Sequence, residues 1–179
     1  MARFRVLFAD AGRRSRSEIA SPGTHAASVE WQLSVNEAET LTLKAEELGL
    51  DGVFVPDHIL APSATTQHYG ANWPDPFSLL GYLAGRTRKI VVGTSVIVLP
   101  YRNPLVTAKA AATVDQVSGG RFVFGVGVGW DEEEFRNLGL PFRRRGRMSD
   151  EYIRVIKAAW ESDVPEFKGE YLSFAGAHF

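Results

Sequence analysis

The dipeptide Asp57-His58 stands just after Asp51 to Val55, an apolar run that reads as a buried strand. An imidazole so placed can donate a hydrogen bond to a ligand or move a proton near neutral pH. The adjacent carboxylate can orient it. The plainer alternative is that Asp57 caps the next turn and His58 is an ordinary loop histidine. Position alone leaves both readings open. Gly125-x-Gly127-x-Gly129 is a second candidate. It fails as a dinucleotide fingerprint, because the third glycine of G-x-G-x-x-G would fall on Trp130. Asp131, Glu132, Glu133 and Glu134 follow at once and would repel a diphosphate. The glycines either let a cofactor ring approach the backbone or let the strand pack tightly on its neighbours. Arg143, Arg144, Arg145 and Arg147 form a dense basic cluster. It suits either a bidentate grip on phosphate or an acidic cofactor tail, or a solvated loop that balances the acidic run.

Other chemistries find no support. His25, His68 and His178 are scattered, and no H-E-x-x-H spacing occurs, so no metal site is expected. No G-x-S-x-G element points to a hydrolase. The chain has no cysteine, which excludes disulfides, thiolate metal sites and a cysteine nucleophile. A net charge of −1 and a short basic patch do not favour nucleic acid or an anionic membrane. No apolar run reaches the roughly 18 residues that span a bilayer. The N-terminal MARFRVLFAD lacks the features of a signal peptide. A cytoplasmic protein is the expectation.

The elements that position these residues alternate between strand and helix. FRVLFAD (Phe4 to Asp10) reads as a first strand. Residues 11–34 lack a clean period and read as a long connection, either a mobile loop or divergent N-terminus, or a lid over the strand ends. Ser34-x-x-Glu37 is a capping-box pattern, and Ala38, Leu41, Ala45 and Leu48 then mark one helical face ended by Gly49. After the Asp51 to Val55 strand, residues 59–74 read as a loop. Asp75-Pro76 starts a helix with Leu79, Leu80, Leu83 and Ala84 inward. Ile90 to Leu99 is apolar on both faces, as in a buried parallel strand. Asn103-Pro104 starts its crossover helix, Val106, Ala110, Thr113 and Val117 give that helix a face, and Gly119-Gly120 stops it. FVFGVGVG is the next strand. Asp131 to Leu140 reads as a short helical turn, and Ser149 caps a last helix presenting Tyr152, Ile156, Ala159 and Trp160. A short hairpin or extended tail closes the chain. Such alternation argues α/β with a parallel sheet.

GTSVIVLPYRNPLVTAKAAATVDQVSGGRFVFGVGVGW, with GLDGVFVPDH before it and EEFRNLGLPFRRRGRMSDE after it, resembles the bacterial luciferase-like monooxygenase family. The resemblance implies a (β/α)8 TIM barrel that uses FMN or the deazaflavin coenzyme F420. It matches Asp57 and His58 to the family's active-site Asp-His after the second strand. It places the cofactor ring against Thr94, Ser95 and Val96, with a non-proline cis peptide at Ser95-Val96, and near Gly127 and Gly129. In some deazaflavin dehydrogenases an acid lies just after this strand. Trp130 holds the matching place here, which puts that sugar-phosphate chemistry in doubt. The segments at Asp57-His58 and GTSV favour the deazaflavin.

Eight βα units and about 250 residues make such a barrel. Residues 1–179 read as one domain of about four units with parallel strands in sequence order, a partial barrel truncated before its fifth strand. Two open sheet edges would then need cover, from a second copy or from the missing half. The expected function is a flavin- or F420-dependent oxidoreductase or monooxygenase acting on a small organic substrate. The alternative is a non-catalytic half barrel that binds cofactor weakly or only assembles with partner chains.

Overall fold

The computed structural model describes residues 5–8, 26–28 and 33–179. The lid or loop expected over residues 11–34 falls largely outside them. One parallel sheet is built from β1 (Arg5–Phe8), β2 (Ala26–Ser28), β3 (Gly52–Val55), β4 (Val91–Thr94), β5 (Ile97–Val98) and β6 (Phe122–Gly127). The helices are α1 (Val35–Glu47), α2 (Ser63–Tyr69), α3 (Pro76–Arg86), α4 (Pro104–Ser118), α5 (Glu132–Asn137) and α6 (Arg145–Glu161). β7 (Phe167–Lys168) and β8 (Ser173–Phe174) make an antiparallel hairpin near the end of the chain.

The helix boundaries follow the local chemistry of the sequence. Ser34 and Glu37 form the full capping box, with the Ser34 N–H donating to Glu37 at 2.8 Å. Asp75 and Asn103 cap α3 and α4 immediately before a proline. Gly119 ends α4 in the left-handed conformation, at φ 67°. The loop expected over residues 59–74 contains α2, which the sequence reading missed. α6 begins at Arg145 rather than at Ser149, and Ser149 is a buried residue inside it.

Strand order corrects the expected sequence-order sheet. From one edge it runs β1, β6, β4, β3, β2, so β1 lies beside β6 and not beside β3. Arg5 is opposite Val123 and Phe8 opposite Val126, while Ala26 to Ser28 occupy the far edge against Gly52 to Phe54. The physical reason is edge pairing. β3 and β6 would otherwise present bare rows of N–H and C=O groups, and a short strand satisfies each.

The core lies between sheet and helices. Val53, Val92, Ile97, Phe124 and Val126 meet Leu80 and Leu83 of α3, Ala108 and Ala111 of α4, and Ile156 of α6. The α3 face is the one expected. Two others are rotated. α1 buries Ala38, Thr42 and Ala45 and leaves Leu41 and Leu48 exposed. α4 buries Thr107, Ala108, Ala111 and Val114 and leaves Val106 and Val117 exposed. Both helices turn mainly small residues inward, which permits close approach to their neighbours, whereas the expected faces included Leu41, Leu48, Val106 and Val117.

The edge opposite the strand C-termini is fastened by charge. Glu46 Oε1 accepts from the N–H groups of Arg88, Lys89 and Ile90 at 2.6–2.9 Å. Arg121 donates to the carbonyls of Ile90 (2.7 Å), Ala84 (2.9 Å) and Ser118 (2.7 Å). These contacts hold the start of β4 against the ends of α1, α3 and α4.

Candidate active site

Parallel strands place all their C-termini on one edge. Val55 is level with Thr94, and Val98 with Gly127, so Asp57-His58, Ser95-Val96 and Gly127 open together as expected. The apolar run Ile90 to Leu99 is not one strand. It breaks into β4 and β5 at a cis peptide between Ser95 and Val96. Ser95 is exposed there and Val96 half-buried. The Ser95 N–H still donates to the Val55 carbonyl at 2.9 Å, which ties the bulge to β3.

The GVGVG glycines fit against this broken strand. A Cβ at Gly125 would sit 2.0 Å from the Thr94 carbonyl oxygen. At Gly127 it would meet Val96 Cγ2 at 2.6 Å, and at Gly129 Val98 Cγ1 at 2.7 Å. Each glycine thus makes room for one residue of the bulged strand. These contacts are the tight packing of strand on strand that glycine permits. The Thr94 hydroxyl also serves the sheet: it is buried, donates to the Gly125 carbonyl at 2.7 Å and accepts from the Gly125 N–H at 2.9 Å. Among the five expected cofactor-binding positions, Ser95, Val96 and Gly127 face the open edge, while Thr94 and Gly129 shape it from behind.

Asp57 and His58 turn to different partners. Asp57 is 3% exposed and is gripped by Arg102, whose Nη2 donates to Oδ1 at 2.7 Å and whose Nη1 donates to Oδ2. The Val98 N–H donates to Oδ2 at 3.0 Å. Asp57 therefore ties the end of β3 to β5 and the turn beyond it. Its hydrogen bonds go to Arg102 and Val98, not to the neighbouring His58. Burial pushes its carboxyl above the ordinary value, and Arg102 works against that shift.

His58 is oriented instead by Glu134. Its Nδ1 lies 2.7 Å from Glu134 Oε2, and Tyr101 donates its hydroxyl to the same oxygen at 3.0 Å. Oε1 accepts from the N–H groups of Ile59 (2.7 Å) and Leu60 (2.9 Å). Glu134 is fully buried. Burial alone would raise its pKa, but the hydrogen bonds from His58, Leu60 and Ile59 outweigh burial and hold the carboxyl below the ordinary range. Burial, together with the Glu134 charge, pushes Tyr101 well above its ordinary value, so it stays a donor. Asp131 aims Glu134 by capping α5. It accepts from the Glu134 N–H at 3.2 Å and from the Thr65 hydroxyl of α2 at 2.6 Å.

The His58 ring is framed by two tryptophans. Trp73 meets it edge-on at 4.4 Å between centroids, and Trp130 at 6.2 Å. Trp130 and Val128 are exposed beyond the end of β6. The result is an imidazole with a fixed ring plane, set in apolar walls at the open strand edge. Of the basic cluster, Arg145 donates to the Gly129 carbonyl at 3.1 Å and stacks on Phe142, and Arg144 approaches Glu170 at 3.5 Å. Arg143 and Arg147 are exposed.

Sequence reasoning missed Glu134, Tyr101, Arg102 and Trp73. Asp131-x-x-Glu134 carries a recognisable capping signal, yet such a signal speaks only of its own helix. The link to a histidine 76 residues away is tertiary.

A parallel α/β sheet with its polar site at the strand C-termini has the layout of a (β/α)-barrel enzyme. Residues 15–179 match the luciferase-like monooxygenases, and the chain belongs to that family. An F420-dependent glucose-6-phosphate dehydrogenase of Amycolatopsis mediterranei is 37% identical over 139 residues, 75% of this chain and 40% of that protein. Pyrimidine monooxygenase RutA of Allorhizobium ampelinum is 32% identical over 133 residues, 72% of this chain and 36% of that one. Among solved structures, an F420-dependent secondary alcohol dehydrogenase in complex with an F420-acetone adduct is 30% identical with a TM-score of 0.73, covering 86% of this chain and 46% of that one. Monooxygenase RslO1 from Streptomyces bottropensis is 25% identical with a TM-score of 0.69, covering 79% and 43%. The chain spans less than half the length of each of these relatives.

Proposed function

We propose that this chain carries the flavin-side half of a luciferase-like oxidoreductase, which binds F420 or FMN at the strand C-termini and acts on a small organic substrate. The observation that carries the reading is His58, locked at Nδ1 by a buried carboxylate and slightly exposed at the edge where the family places its chemistry. The fit to a flat ring rests on the surface beside it. Exposed Ser95, half-buried Val96, the bare backbone of Gly127 and the exposed Val128 and Trp130 side chains offer a largely apolar wall with few competing charges. Ser95, Val96 and Gly127 would hold the ring. Thr94 and Gly129 would fix the backbone behind them.

When bound, the deazaflavin supplies hydride transfer and FMN supplies oxygen insertion; the protein's share is position and electrostatics. His58 would hold or move a proton at Nε2. Trp73 and Trp130 would limit water around it. Asp57 and Arg102 would keep the bulge in place. The relatives' names divide between dehydrogenases and monooxygenases, and the match at Asp57-His58 and GTSV inclines the reading to the deazaflavin. A cytoplasmic location accords with a chain free of cysteine. Among the described residues no helix is long and apolar enough to cross a membrane.

The test is a fluorescence titration of the purified chain with F420 and with FMN, repeated on Ser95→Trp. Saturable binding of one cofactor, weakened at least tenfold by the bulky substitution, is the expected result. Saturable binding of neither, or binding indifferent to Ser95→Trp, would overturn it.

A further inference from the structure

We propose that Glu134 sets the working tautomer of His58: its carboxylate accepts a hydrogen bond from Nδ1–H, which keeps the ring proton on Nδ1 and leaves Nε2 as the unprotonated nitrogen at the strand C-terminal edge. Glu134 is thus a positioning residue that acts through His58. The proposal rests on the functional reading above only for what Nε2 eventually meets.

The argument is a count of donors and acceptors. An ionised carboxylate accepts and cannot donate. Glu134 lies among donors: the Ile59 and Leu60 N–H groups, which can only give, on Oε1, and the Tyr101 hydroxyl, which donates to Oε2. His58 Nδ1 at 2.7 Å from Oε2 must then be the protonated nitrogen of the ring. A neutral imidazole carries one N–H, so placing it on Nδ1 leaves a lone pair on Nε2. Nε2 makes no hydrogen bond among the described residues. Side-chain exposures of 11% for His58 and 0% for Glu134 keep water from competing for the shared bond.

The same geometry specifies the perturbation. In Glu134→Gln the amide oxygen is claimed by the Ile59 and Leu60 N–H groups, because two fixed backbone donors converge on Oε1. The amide nitrogen then takes the place of Oε2 and points its protons at His58 Nδ1. A donor facing Nδ1 requires Nδ1 to accept, so the ring proton moves to Nε2. The substitution alters size very little and inverts the tautomer.

The experiment is nitrogen-15 NMR of the imidazole in the chain without cofactor, at pH 8. The wild-type chain should show His58 protonated at Nδ1 and bare at Nε2, and Glu134→Gln should show the reverse. Tyr101→Phe keeps the ring packed on Phe135 and should retain the wild-type pattern. A wild-type Nε2–H signal overturns the proposal without any variant having to fold. Loss of the Nδ1–H form in Tyr101→Phe overturns it too, because the hydroxyl would then be the controlling group. In the cofactor-loaded enzyme, Glu134→Gln should lower kcat by about 10²–10⁴-fold and leave the cofactor Kd within about threefold. A chain that binds no cofactor yet shows the Nδ1–H tautomer would sink the functional reading and leave this one standing.

Discussion

Arg102→Ala removes the guanidinium from a carboxylate that cannot escape to water. Asp57 is 3% exposed, with its two oxygens engaged by Arg102 and one also by the Val98 N–H. Breaking a buried ion pair from one side costs about 3–5 kcal/mol, because the remaining charge is stranded. In a chain of this length each kcal/mol moves the midpoint by roughly 2–4 °C, so the variant should melt about 6–20 °C lower. The deficit should shrink in acid. Burial already raises the Asp57 pKa, and loss of Arg102 raises it further, so the folded variant takes up a proton before the unfolded chain does. Its stability relative to wild type therefore recovers as pH falls through that raised value. A double variant, Asp57→Asn with Arg102→Met, removes both charges and should recover at least half of the loss. The assay is thermal and urea unfolding between pH 4.5 and 8, followed by tryptophan fluorescence. Arg102→Ala within about 1 kcal/mol of wild type at pH 7.5, or a deficit that grows in acid, would refute the reasoning.

Gly127→Ala should destabilise by about 1–3 kcal/mol, since its Cβ would lie 2.6 Å from Val96 Cγ2, and adding Val96→Ala should restore most of that in urea unfolding. Acidification should destabilise the fold below the ordinary glutamate value of 4.5: Glu46, Glu134 and Glu151 are held below it by hydrogen bonds despite burial, so their contribution is complete above that pH and lost as pH falls through the lowered values. Glu151→Gln should flatten that slope, measured as ΔG of unfolding against pH. His58→Ala should cost about 1–3 kcal/mol, because Glu134 loses one donor, and should lower turnover by about 10²–10⁴-fold in the loaded enzyme; paired melts and kinetics separate the two effects.

What the sequence made legible was local. Asn103-Pro104, Asp75-Pro76, the Ser34 capping box and the left-handed Gly119 are instructions to the backbone within a few residues, and each appears where its chemistry places it. The helix faces were harder, because α1 and α4 bury mainly alanine and threonine, with Val114, while Leu41, Leu48, Val106 and Val117 stay outside, so side-chain size was a poor guide. The site divided along the same line. His58 could be found from its place after a strand, and Ser95-Val96 from the family resemblance. The partners of the acidic residues could not be found, because a carboxylate's role depends on which donors the fold brings to it. Asp57, beside the histidine in sequence, was taken by an arginine 45 residues on, and Glu134, read as one member of a repelling acidic run, became the group that holds the ring. Sequence adjacency favoured Asp57 as the orienting carboxylate. A residue beside another at a strand end points to the opposite side of the chain, so the neighbour in sequence is badly placed to touch the ring, and a carboxylate from the next layer is well placed. The same reasoning applies to the GVGVG run: its glycines answer Thr94, Val96 and Val98 one by one across the sheet, a pairing that no single strand can announce.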